Sequence, residues 1–148
     1  MNFSKIDKKI INVLLNNSRL SYRQIAEIVN VSPATVIKHI DTLKEEGIIR
    51  RYTTDITFYK LGYEFKAIIQ LRISKGKLFE VQNKIAKNPN VYAVYDITGD
   101  FDAIVITRFK SRNGLDDFLK HIQTYDFVER TKTSLILNVM KEKQDKLQ

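Results

Sequence analysis

The chain has 148 residues, 43% of them apolar and 28% charged, with a formal net charge of +8. That is enough for one medium domain or two small ones with ordinary cores, and disorder is not the default reading. There is no cysteine, which removes disulfides, thiolate metal sites and cysteine nucleophiles together. No apolar run approaches the roughly 18 residues of a membrane span, and the first residues lead into a helix rather than a signal peptide, so a cytoplasmic protein is expected. The positive charge suits a nucleic-acid partner, but it divides evenly, net +4 in residues 1–54 and +4 in the remainder. It therefore does not locate the contact.

The first predicted helix starts at Ser4, where Ser4-Lys5-Ile6-Asp7 resembles a capping box with Asp in the acidic position. Ile6, Ile10, Val13 and Leu14 form its apolar stripe, and Asn16-Asn17-Ser18 ends it. The second starts at Ser21, with a Ser-x-x-Gln capping box to Gln24 and with Ile25, Ile28 and Val29 expected to face inward. After the turn at Asn30-Val31 comes a third, with Ser32 as cap, Pro33 in the first turn, a buried stripe of Val36, Ile40 and Leu43, and Gly47 as stop. Two short helices joined by a tight turn over residues 21–49 make a helix-turn-helix.

Residues 48–56 shift towards strand periodicity, and residues 58–62 read as a short connection. Beyond them Phe65, Ala67, Ile69, Leu71 and Ile73 alternate with more polar neighbours, as in a strand. Leu78, Val81 and Ile85 follow helical spacing until Asn88-Pro89-Asn90. A strand at 91–97, a turn at Gly99-Asp100-Phe101-Asp102, a strand at 103–109, a helix through Leu115, Phe118, Leu119 and Ile122, and a last strand at 128–139 complete the pattern. The fold class expected is α+β. It comprises an N-terminal three-helix, winged-helix-like helix-turn-helix domain (1–50), a short strand linker (51–62), a C-terminal ferredoxin-like βαββαβ domain (63–140) and a charged tail (141–148).

The third helix has the size and chemistry to lie in a DNA major groove by its N-terminal turns. Ala34 and the Thr35 methyl suit a thymine methyl, Lys38 suits guanine or a phosphate, and His39 and Thr42 lie at the edge of the same face. Asp41, Glu45 and Glu46 follow later, where phosphates would repel them. The hydroxyls of Ser21, Tyr22 and Ser32, with Arg50 and Arg51, suit contacts to the DNA backbone. The plainer alternative is a trihelical bundle whose polar face is simply solvated.

These residues justify a comparison. Residues 6–32, then Leu-Lys-Glu-Glu-Gly-Ile-Ile-Arg-Arg-Tyr-Thr at 43–53 and Leu61-Gly62-Tyr63, with the run from Asn88 to Val105 that contains Gly99-Asp100-Phe101-Asp102, resemble the leucine-responsive/AsnC (feast/famine) transcriptional regulators. The resemblance covers residues 3 to about 140. It implies a DNA-binding regulator that dimerises through its ferredoxin-like domains, assembles into octamers or similar rings and responds to an amino-acid effector. Carried over, the effector residues are Gly99, Asp100, Phe101 and Asp102, with Thr133 and Ser134. A glycine turn exposes N–H groups that can hold a carboxylate, and a nearby Asp can hold an ammonium. The other use of such a Gly-Asp pair is a hairpin turn chosen for positive φ.

Apolar residues on both parities of the strands further point to a sheet face covered by a partner subunit, and a twofold dimer implies a pseudopalindromic operator with half-sites about 10 bp apart or a multiple of that. A second reading is a small-molecule sensor or protein-interaction module that does not touch DNA. An enzyme built on Asp96, Asp100 and Asp102 is disfavoured, because no nucleophile, phosphate loop or His lies near them, and no metal or other cofactor is called for.

Overall fold

The computed structural model describes residues 3–74, 76–142 and 147. The chain divides into two compact units, Met1–Asp55 with Lys141–Gln148, and Ile56–Met140.

In the first unit, α1 (Lys5–Asn16), α2 (Tyr22–Val29) and α3 (Pro33–Glu45) each begin at a serine cap. Ser4 and Ser21 form reciprocal capping boxes with Asp7 and Gln24, and Ser32 accepts the Thr35 N–H, so each helix start satisfies donors that would otherwise be orphaned. Asn30 holds the turn between α2 and α3 in the left-handed region at φ +58°, a conformation Asn tolerates better than most residues. The core consists of Ile10, Ile25, Ala26, Val29, Val36 and Ile40, with Ile6, Val13, Leu14, Leu20 and Val31 packed against it. Gly47 at φ +69° ends α3.

Two expectations fail here. Ile28 is 60% exposed: in so short a helix, contact is confined to the stripe of Ile25, Ala26 and Val29. Residues 50–57 form no strand, and the connection becomes a 3-10 helix at Phe58–Leu61. An extended segment is a strand only beside another, and no neighbour among the described residues ladders with it. Of the tail, Leu147 exchanges two backbone bonds with the Asn12 side chain of α1, at 2.7 and 3.1 Å.

The second unit is a four-stranded antiparallel sheet in the order β2-β3-β1-β4, built from β1 (Phe65–Ile73), β2 (Val91–Asp96), β3 (Ala103–Phe109) and β4 (Val128–Leu135). With α4 (Leu78–Ala86) after β1 and α5 (Arg112–Gln123) after β3, this is the ferredoxin-like βαββαβ arrangement. Alternation puts Ala67, Ile69, Leu71 and Ile73 of β1 and Ala103 and Val105 of β3 in one core with Val81, Ile85, Leu115, Phe118 and Ile122 of the helices. β4 stops at Leu135, four residues short of the expected end. It pairs with β1, whose ladder runs out at Ala67 opposite Leu135, and only the Ile136 N–H reaches one residue further, to Lys66.

The sheet's other face carries the second parity. Ile68 stands opposite Ile106, Ile106 opposite Ala93, and Ile104 opposite Gln70 and Tyr95. At one corner the Arg108 guanidinium lies between the rings of Phe58 and Tyr92, 4.1 and 3.7 Å from their centroids, which ties the 3-10 helix to the sheet.

Candidate nucleic-acid interface and effector turn

α3 presents a split surface. Val36, Ile40 and Leu43 are fully buried, and the opposite side exposes Ala34, Ile37, Lys38, Asp41 and Glu45. The N-terminal half of that side is uncharged or positive and the C-terminal half acidic, as expected. Ile37, 40% exposed, was missed in the sequence reading. At about 100° per residue it sits at the margin of the buried stripe, so periodicity alone could not place it outside.

The predicted contact residues are not all equally available. Ser32 Oγ and Thr35 Oγ1 are 2.8 Å apart and bonded to each other, while Thr42 Oγ1 donates back to the Lys38 carbonyl at 2.9 Å. Ser21 Oγ donates to Gln24 Oε1 at 3.0 Å. Each hydroxyl oxygen still has acceptor capacity, but its geometry is set by the helix that it caps or belongs to. Tyr22, Arg50 and Arg51 are exposed, and Arg51 lines a groove with Leu15, Arg19 and Tyr52 along the end of α1.

The sequence did not show where His39 reaches: its Nδ1 lies 2.6 Å from Asp7 Oδ1 of α1, and the side chain is 25% exposed. Burial alone would push the Asp7 carboxyl up. Bonds from the Ser4 side chain, His39 and the Ser4 backbone, with the His39 charge, outweigh burial and hold the carboxyl below its ordinary value.

In the second unit, residues 99–102 form the turn between β2 and β3, with Gly99 at φ +115°, where a side chain would be strained. The Asp102 N–H donates to the Leu71 carbonyl, and Asp102 Oδ2 accepts the Ile73 N–H at 2.8 Å. Asp96 is held by Gln82 of α4. Of the acidic trio, two carboxylates are thus occupied in holding the fold. Arg72 bonds the Asp100 carbonyl at 3.2 Å and lies 3.6 Å from Asp102, while Arg130 stands over the Phe101 ring. Arg72 and Arg130 are direct cross-strand partners. Like charges so placed repel, which favours an anion beside the turn. Neither arginine was singled out from the sequence, since only the register of β1 with β3 and β4 brings them there. Thr133 and Ser134 lie further along β4, opposite Ile69 and Ile68. Adjacent strand residues point to opposite faces, so the chain does not gather both with the turn into one cluster.

Among the described residues no cluster of three or more His, Asp or Glu has the arrangement of a metal site, and no helix is long and apolar enough to cross a membrane.

A capped third helix with an exposed face in a trihelical unit, followed by a ferredoxin-like domain, defines the class of two-domain helix-turn-helix proteins. Residues 3–50 match the family model for winged helix-turn-helix DNA-binding, and residues 66–145 match that for the Lrp/AsnC ligand binding domain. An uncharacterised HTH-type transcriptional regulator of Pyrococcus abyssi is 40% identical, covering 93% of this chain and 94% of its own. The HTH-type transcriptional regulator FL11 of Pyrococcus furiosus is 36% identical over 93% of this chain and 91% of its own. AsnC of E. coli superposes with a TM-score of 0.91 at 25% identity, over 97% of this chain and 98% of that one. A Neisseria meningitidis transcriptional regulator solved as its L-Met complex gives 0.88 at 25% identity, over 98% and 96%. The chain belongs to the Lrp/AsnC family of transcriptional regulators.

Proposed function

We propose that this chain is a sequence-specific, DNA-binding transcriptional regulator, working in the cytoplasm without catalytic activity, that reads its operator through the first turns of α3 and answers to an amino-acid effector. The observation that carries it is the split surface of α3, with its first turns exposed behind a stripe at zero exposure. Ala34, Ile37 and Thr35 supply methyl contacts and Lys38 a base-edge or phosphate contact. Ser21, Tyr22, Ser32, Arg50 and Arg51 hold the backbone. Residues 1–50 form the DNA-binding part, joined by 51–62 to an effector and oligomerisation part at 63–140.

The relative solved with L-Met supports an amino acid at the Gly99–Asp102 turn. Arg72 and Arg130 suit the ligand carboxylate and the free Asp100 carboxylate its ammonium. The isoleucine-rich sheet face supports a second copy of the chain as its cover, giving a twofold dimer that places two α3 helices on one operator.

Selection of bound genomic fragments with and without a pool of amino acids tests the reading. One enriched pseudopalindrome whose recovery changes with the pool is expected, and recovery of random fragments alone would refute it.

A further inference from the structure

Asp7 holds the start of α1 and the middle of α3 at once. Its Oδ2 accepts the Ser4 N–H at 2.8 Å and the Ser4 O–H at 2.6 Å, while Oδ1 lies 2.6 Å from His39 Nδ1. The Asp7 side chain is 6% exposed and that of His39 25%, so the contact is shielded rather than a solvated surface pair. Around it, α1 and α3 meet through Ile10, Val36 and Ile40. Apolar contact sets the spacing of two helices but is non-directional; it permits rotation and small slides along the axis. A short, charge-assisted hydrogen bond does not. The exposed helix surface lies about 5–6 Å from the axis. A rotation of about 20° would therefore carry outward side chains by roughly 2 Å, enough to lose a hydrogen bond of ordinary length.

Resting on the DNA-reading function of α3, we propose that His39 is a positioning residue: bonded to Asp7, it fixes the rotation and axial position of the recognition helix. It thereby sets sequence discrimination without touching DNA.

The test measures full-length protein binding to its selected operator and to random-sequence duplex, with far-UV circular dichroism confirming the fold of each variant. His39→Leu is expected to lower the operator-to-random preference about tenfold or more, with random-duplex affinity within about twofold of wild type. A phosphate contact would instead weaken both duplexes together. His39→Asn, which keeps a donor near the Nδ1 position, is expected to restore most of the preference. Asp7→Asn should lose preference like His39→Leu, and the two together should lose little more, as coupled partners do. The proposal is overturned if His39→Leu keeps its preference, if it weakens both duplexes equally, or if Asn fails to rescue. A wild-type protein with no preference at all would instead overturn the DNA-reading function itself.

Discussion

A carboxylate buried in a small helical unit needs partners, and Asp7 has Ser4 and His39. Its folded value lies below the ordinary 3.8, so the stability it contributes is in place above that value and is lost as pH falls through the folded one. Melts of the full chain should therefore show the Asp7 contribution declining below about pH 4. Asp7→Asn should flatten that acid limb while removing about 2 kcal/mol at pH 7, the cost of a hydrogen bond to a buried charge; an unaltered acid limb would contradict the assignment. From the sequence, Asp7 was legible as a cap, four residues into a strong local pattern. Its bond to His39 was not, because the partners are 32 positions apart and nothing local distinguishes a His that faces a neighbouring helix from one that faces water. Gly99 illustrates the reverse case. A turn was legible from its dipeptide, whereas the arginines beside it depend on strand register.

At the scale of elements, capping residues located the starts of α1, α2 and α3 because the reason is local: an oxygen at the right offset meets an orphaned N–H. Ser32→Ala should lower stability by about 1 kcal/mol in chemical denaturation. Side-chain burial was less legible where the stripe is narrow. Ile40→Ala, at a site with zero exposure, should cost about 2–5 kcal/mol, whereas Ile28→Ser, on the open side of α2, should stay within about 0.5 kcal/mol of wild type. Equal losses from the two would show that Ile28 is covered in solution. The strand expected in residues 48–56 and the overlong last strand failed for a shared reason. Period-two patterning describes what a segment favours, while a ladder also needs a partner of matching length.

At the scale of the whole molecule, both faces of the sheet are partly apolar, and only one is covered by α4 and α5. Sedimentation of the wild type should give a dimer or larger. Ile104→Lys with Ile106→Lys, which places charges in the middle of the open face, should give a species near the chain mass of 17.3 kDa. Retained assembly would move the interface elsewhere. Operator affinity should also fall steeply with salt, roughly as a power of the salt concentration whose exponent grows with the number of phosphates contacted, and the monomeric double variant should bind more weakly and with a shallower salt dependence because half its contacts are gone.

The Arg108 stack has a consequence for avidity. By holding Phe58 against the sheet, it removes the 3-10 helix from the free length of the connection, leaving residues 50–57 without regular structure. Such a segment reaches at most about 26–29 Å fully extended. In the proposed dimer, a reading head on so short a leash would search a small volume once its twin has landed, and the second half-site would meet it at an effective concentration in the millimolar range. Arg108→Ala would lengthen the leash without touching either head. The spacing between half-sites that the pair tolerates should then widen, while the affinity of a single head for a single half-site stays the same.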